Sequence, residues 1–320
     1  MAKEINELHV PVALDYALEI LGPAVSHEGA VMVDGTLGLG GHTEAFLTNF
    51  ENLTVIGIDR DTEALKLAGE RLAKFGNRIR LAHAVYSEIK DVVADKGFDS
   101  VDAVLLDLGV SSMQLDESDR GFAYSFDAPL DMRMNQQVGI TAAEVLNTYS
   151  ESRLAKIFKE FGEERYAKSI AAAVVSRRLQ QPFSNSSDLA SLVSAIVPFI
   201  PGKTTGHPAK RVFQALRIEV NGELSILEDT IPAAVDVLKV GGRILVMSYH
   251  SLEDGIVKKA MVAKATSSAP LDMPIELPEH QPVLRMLTRG TAVASEAEKN
   301  QNPRAASVRM RAAEKIRDAA

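Results

Sequence analysis

The sequence predicts an α/β protein, a parallel sheet with helices on both faces, interrupted by an inserted all-helical domain. Three observations predict it. Short apolar runs alternate with amphipathic stretches through the first third of the 320 residues. That alternation stops after Asp107 and gives way to helical patterns. A strand-like run then resumes at Arg243, entered through Gly241-Gly242. Strand-helix-strand alternation requires crossover connections, and these produce a parallel sheet covered on both sides.

Taken in order, His9 to Leu21 places Leu14, Leu18 and Leu21 on one side of a helix. Strands are expected at Val31–Val33, Thr54–Ile58, Arg78–His83 and Val101–Leu106, with helices at Thr43–Phe50, Thr62–Phe75 and Ser87–Asp95 between them. Ser111 to Asn135 shows no periodicity. Helical patterns follow at Thr141–Leu146, Ser152–Phe161, Glu163–Leu179, Ser187–Val197 and Lys210–Leu238, the last read as one long helix. Arg243–Met247, Val283–Thr288 and Ser307–Ala312 read as further strands, and Ala292–Ala306 as a surface loop. The expected divisions are 1–113 and 210–320 for the sheet domain and 114–209 for an inserted substrate-recognition domain.

Composition narrows the function. There is no cysteine, which removes disulfides, thiolate metal sites and thiol nucleophiles together. No apolar run approaches the roughly 18–20 residues that span a bilayer, and the charged start MAKEINELH lacks the apolar centre of a signal peptide. A cytoplasmic enzyme is the simplest expectation. The net charge is −8. A freestanding nucleic-acid binder is usually basic, so any nucleic-acid contact is expected through a local basic face or a preassembled partner.

The stretch Asp34 to His42, DGTLGLGGH, follows the apolar run Ala30–Val33. A strand that ends in a glycine-rich turn and feeds a helix brings backbone N–H groups against a ligand. A dinucleotide fingerprint starting at Gly38 needs glycine where Thr43 stands, and a P-loop starting at Gly35 needs lysine where Gly41 stands. Asp59, at the second strand end, is placed to accept hydrogen bonds from both hydroxyls of a ribose, or to cap the next helix together with Asp61. Tyr86, near the third, suits an adenine face, and Asp107 ends the fourth. This set suits a nucleoside cofactor without a phosphate, and S-adenosylmethionine fits. The generic glycine motif of such enzymes is incomplete here, because Thr36 stands at its first glycine.

Longer strings are more specific. DGTLGLGGH, LLDLGVSSMQLD from Leu105, RGFAYSFDAPLDMRM from Arg120, YAKSIA at Tyr166, HPAKRVFQALRIEVNGEL at His207 and SYHSLED at Ser248 together resemble one family. It is the family of ribosomal small-subunit RNA cytosine-N4 methyltransferases called RsmH or MraW, and the resemblance runs from about His9 to Arg311. It implies a Rossmann-like class I S-adenosylmethionine-dependent methyltransferase sheet with an inserted helical domain. It implies methyl transfer to the exocyclic N4 of a cytosine in the decoding region of 16S rRNA. Its cofactor positions fall on Gly40, Gly41, His42, Asp59, Asp107 and Gln114. The family often has phenylalanine where Tyr86 stands, and tyrosine keeps the ring.

Methyl transfer from a sulfonium is an in-line displacement, helped chiefly by positioning. A C5-cytosine enzyme normally uses a cysteine nucleophile, which this chain lacks. The N4 amine is a poor nucleophile, and an acceptor aimed at its protons would localise the lone pair. Asp107 is the candidate, either in that role or as a cofactor ligand. His250 follows the fifth strand and either contacts RNA or fills the turn before a Ser251-x-x-Asp254 capping box. No metal site is expected. Phe122, Tyr124 and Phe126, flanked by Arg120 and Arg133, form either a stacking lid or the anchor of a long loop. On the helix from Lys210, the face carrying Lys210, Gln214, Arg217 and Asn221 suits phosphate and base-edge contacts. The expected partner is 16S rRNA within the assembled small ribosomal subunit, with no membrane; oligomeric state stays open. The competing readings are an amino-group methyltransferase acting on DNA or another RNA, and a non-catalytic adenosylmethionine-binding assembly protein.

Overall fold

The computed structural model describes residues 11–110, 120–124, 127–198, 207–270 and 276–319. Its chain divides into two compact units, one made of residues 1–109 and 224–320 and the other of residues 110–223.

The first unit holds a seven-stranded sheet in the order β3-β2-β1-β4-β5-β7-β6. The strands are β1 (Val31–Asp34), β2 (Thr54–Asp59), β3 (Ile79–His83), β4 (Val101–Asp107), β5 (Leu238–Ser248), β6 (Leu284–Met286) and β7 (Arg309–Lys315). The first five pair in parallel, while β7 runs antiparallel to both β5 and β6. The sheet is therefore mixed, and the α/β Rossmann-like class expected from the sequence is the class observed.

Side chains alternate between two cores. Val31, Val33, Ile56, Ile58, Val104, Leu106, Ile244 and Val246 enter one apolar cluster. Met32, Val55, Ala103, Leu105, Leu245 and Met247 enter the other. Period-two alternation with both sets apolar is the signature of a strand buried on both faces. The first core is covered by α4 (Ile89–Asp95), α10 (Glu223–Val237) and α11 (Ser251–Ala265). The second is covered by α1 (Leu14–Val25) and α2 (Gly41–Asn49). Between β2 and β3 lies α3 (Thr62–Leu72), capped by the Asp61 side chain.

Three expectations shift. The first helix begins at Leu14, after Ala13 in the left-handed region at φ 52°. The single helix expected over 210–238 is two, because Gly222 adopts φ 61° and ends α9 (Lys210–Asn221). The expected surface loop 292–306 carries α12 (Glu296–Gln301), N-capped by Ser295, with Ala294 and Ala305 buried on either side.

The second unit contains α5 (Ala142–Thr148), α6 (Glu151–Glu160), α7 (Ala167–Arg178), α8 (Ser186–Ile196) and α9 around one apolar core. The sequence put the boundaries at 113/114 and 209/210. The units instead divide at 109/110 and 223/224, because Val212, Phe213, Ala215 and Leu216 of α9 bury in the helical core. Gly162 fits the same packing, since a Cβ there would lie 2.6 Å from the Arg211 carbonyl oxygen.

Candidate active site

The glycine turn is stitched to the ends of two neighbouring strands. Gly35 N–H donates to the Leu105 carbonyl at 2.9 Å and Leu37 N–H to that of Ile58 at 3.0 Å. Gly38, at φ 52°, donates its N–H to Asp59 Oδ2 at 2.8 Å. The side chain of Thr36 accepts the backbone N–H of Asp107 at 2.6 Å. The departure at Thr36 thus has a use: its hydroxyl ties the turn to β4, which glycine cannot do.

Gly40 and Gly41 are needed for a reason other than ligand approach. Gly40 takes φ 76°, and a Cβ on it would come within 2.9 Å of Leu72; one on Gly41 would come within 2.7 Å of Pro11. Their open sides are filled by protein. Gly40 caps α2, with no side chain bonded at the cap. The first-turn N–H groups of Gly41, His42 and Thr43 therefore form the positive end of that helix.

Three carboxylates stand at the strand ends. Asp34 is buried and accepts from the Thr43 hydroxyl at 2.7 Å and from Thr36 N–H at 3.3 Å. Burial pushes its carboxyl up to about 6, against the pull of His42 and its hydrogen bonds. Asp59 accepts N–H groups from Gly38 and, at 2.9 Å, Asp61, and burial raises it to about 6. Burial raises Asp107 furthest, to about 7, opposed by a hydrogen bond from Tyr249 and reinforced by the charge of Glu253.

Asp107 is the centre of the group. The Tyr249 hydroxyl donates to its Oδ1 at 2.6 Å. Its Oδ2 lies 3.9 Å from His42 Nδ1. His42 Nε2 is 2.9 Å from the Val12 carbonyl, an acceptor only, so Nε2 carries the proton and Nδ1 is bare in the neutral ring. Burial lowers the His42 pKa, favouring that neutral form. Tyr86 follows β3, its Cβ 3.4 Å from the place a Gly35 Cβ would occupy.

The sequence missed Tyr249. Its position follows from sheet register, since Asp107 pairs with Met247 and Leu108 N–H donates to the Met247 carbonyl at 2.9 Å. The readable signal was a phenol between a strand end and a helix cap. His250, singled out instead, is the N-cap of α11, with its ring accepting Glu253 N–H at 3.4 Å and Glu253 accepting the His250 N–H at 3.3 Å. The capping box is His250–Glu253, one residue earlier than the Ser251–Asp254 box expected. Asp254 is bound instead by Arg311, at 2.7 and 3.1 Å.

The nucleic-acid set fares differently. Arg120 is 5% exposed and donates to the Arg133 and Met134 carbonyls at 3.1 and 3.0 Å. Phe122 is part of the helical core, which favours the anchor over the lid. Arg133 is paired through two nitrogens with Asp131, at 2.7 and 2.8 Å. Gln214 donates to the Phe161 carbonyl at 2.9 Å. Arg217 grips Glu223 at 2.9 and 2.8 Å. Asn221 is 4% exposed and bonded to Met134 N–H and the Met132 carbonyl, both at 2.8 Å. The expectation that Arg120, Phe122 and Asn221 face RNA is corrected: they hold the helical unit together. Lys210 alone of the α9 face is exposed. Gln114 and Phe126 lie outside the described residues.

The sequence pattern of the MraW methylase family matches residues 6–316. The chain belongs to the MraW methylase family. Ribosomal RNA small subunit methyltransferase H of Nocardia farcinica is 58% identical over 311 residues, covering 96% of each chain. The protein of the same name from Saccharopolyspora erythraea is 56% identical, covering 98% of this chain and 95% of its own. That from Nocardioides sp. is 58% identical, covering 96% of each. As a member of this family the chain is a methyltransferase, and the site at the ends of β1, β2 and β4 lies where an open α/β sheet binds its ligands.

Proposed function

We propose that this methyltransferase transfers a methyl group from S-adenosylmethionine to the exocyclic N4 of cytosine-1402 in 16S rRNA, within the small ribosomal subunit, by direct in-line displacement. The observation that carries the reading is Asp107: a half-buried carboxylate at the end of β4, tied by Thr36 to a glycine turn, with one oxygen held by Tyr249.

The donor set fits the cofactor. Asp59 is held by the backbone N–H groups of Gly38, Asp61 and Arg60, and a carboxylate has about four acceptor sites, so capacity remains for a ribose hydroxyl. The N–H groups opening α2 suit a carboxylate, and the Tyr86 ring suits a purine face. S-adenosylmethionine supplies a sulfonium methyl, electrophilic enough to need no metal or covalent enzyme intermediate. Asp107 Oδ2 accepts a hydrogen bond from the amine of the base, which localises the nitrogen lone pair and orients it; the proton that the nitrogen sheds on methylation, acidic in the ammonium, leaves to solvent. Holding two reactants in line is worth several kcal/mol, on the order of 7–11 in well-oriented systems. The absence of cysteine removes the covalent C5 route.

The test uses the purified protein, radiolabelled cofactor and small subunits from a strain lacking this modification. Label is expected in 16S rRNA, recovered on nucleoside analysis as N4-methylcytidine. Cofactor binding without incorporation would leave a binding or assembly protein, and label on another atom would sink the N4 assignment.

A further inference from the structure

We infer that Tyr249 is a positioning residue for the reaction: its hydroxyl locks Asp107 so that Oδ2 alone is presented to the nucleophilic amine. The inference rests on the reading of Asp107 as the amine acceptor.

The lock is built from both sides. The Tyr249 backbone N–H donates to Glu253 Oε2 at 2.7 Å, and Glu253 is itself fixed in the α11 capping box. The ring packs beside Gly109, which takes φ 96°; a Cβ there would lie 3.4 Å from the ring. From this seat the hydroxyl reaches Asp107 Oδ1 at 2.6 Å, within the short range of a bond to an ionised acceptor. Among the described residues no hydrogen bond reaches Oδ2; the bare Nδ1 of His42 lies 3.9 Å from it and cannot donate in the neutral ring. One oxygen is therefore held by the phenol and the other is open to an N–H donor.

The same bond favours the ionised form of Asp107. The groups acting on it are Tyr249 and Glu253 after β5 and His42 and Asp34 from the turn and α2; the charges of Glu253 and Glu298 act in turn on Tyr249. Against burial and the Glu253 charge, the Tyr249 bond is the one that favours the carboxylate. Removing it raises the proportion of protonated Asp107 at neutral pH, and a protonated oxygen is a poor acceptor for the amine.

The variant is Tyr249→Phe, which keeps the ring beside Gly109. Carbon-13 carboxyl titration of the folded protein, with the Asp107 signal assigned by its loss in Asp107→Asn, reads the lock without any turnover. The midpoint is expected to rise by about one unit. In methyl transfer on small subunits, kcat at pH 7 is expected to fall about fivefold, as the ionised fraction of Asp107 does, with KM for the subunit unchanged and cofactor affinity unchanged by calorimetry. The acidic limb of the pH profile moves upward, and activity returns towards wild type near pH 9. An unmoved carboxyl midpoint, or a uniform loss of kcat with an unmoved limb, overturns the inference. A wild-type protein that methylates no RNA while its Asp107 midpoint still responds to Tyr249→Phe shows instead that the lock exists and the proposed reaction is at fault.

Discussion

Thr36 and Asp107 are 71 residues apart in sequence, and the hydroxyl of one accepts the backbone N–H of the other at 2.6 Å. This bond fixes the glycine turn against the strand end that carries the proposed amine acceptor. Thr36→Ala leaves the Asp107 amide without its partner, and a partly buried unpaired N–H costs about 1–3 kcal/mol. Urea unfolding should show that loss, with Thr36→Ser recovering most of it. Equal midpoints for the alanine variant and the wild type would mean that the tie contributes nothing.

Asp107 makes the site costly to fold when ionised. Its folded pKa of about 7 lies above the ordinary carboxylate value, so between those values the folded chain binds more protons than the unfolded one. Stability therefore falls as pH rises through that window. Asp34 and Asp59, both pushed to about 6, act in the same direction up to that pH. The neutral variant Asp107→Asn still accepts from Tyr249. In the cofactor-free protein at pH 8 it should be more stable than wild type by roughly 1–3 kcal/mol, with the gap closing towards pH 4 and methyl transfer lost. Thermal unfolding at both pH values checks this; a variant no more stable than wild type at pH 8 contradicts it.

Asp59 carries the proposed ribose contacts. Asp59→Ala should weaken S-adenosylmethionine binding about tenfold or more, the loss expected for one or two hydrogen bonds to a charged acceptor. Because its carboxyl titrates near 6, wild-type affinity should also decline as pH drops below that value. Calorimetry across pH 5 to 8 measures both. Unchanged affinity in the alanine variant removes the ribose role.

How far this was legible in the sequence depends on the kind of interaction. Strand ends were readable because apolar runs stop at Asp34, Asp59 and Asp107, and ligand position in a parallel sheet follows from strand ends alone. The helix break at Gly222 was written in the sequence but outweighed by continuous periodicity on either side. Tyr249 was not readable in the same way, since its partner is set by the β4–β5 register, which a gap of more than a hundred residues conceals. Burial of Arg120 and Asn221 was hidden for a related reason. Polar residues on an amphipathic helix or a long loop look alike whether they face solvent or the carbonyl groups of an irregular chain.

That last ambiguity gives a direct contrast along one helix. Asn221 satisfies the Met134 N–H and the Met132 carbonyl, so Asn221→Ala strands two buried backbone groups. It should destabilise the protein by about 2–4 kcal/mol, read as a lower urea midpoint. Lys210, at the other end of α9, is exposed, and Lys210→Ala should alter stability by less than about 0.5 kcal/mol. If Lys210 meets a phosphate when the subunit binds, its loss should weaken binding and reduce the salt dependence of that affinity by about one counterion. Filter binding over a salt series separates the two roles. A Lys210→Ala protein with wild-type affinity and slope would place the α9 face away from the RNA, leaving the helix as a purely structural element of its unit.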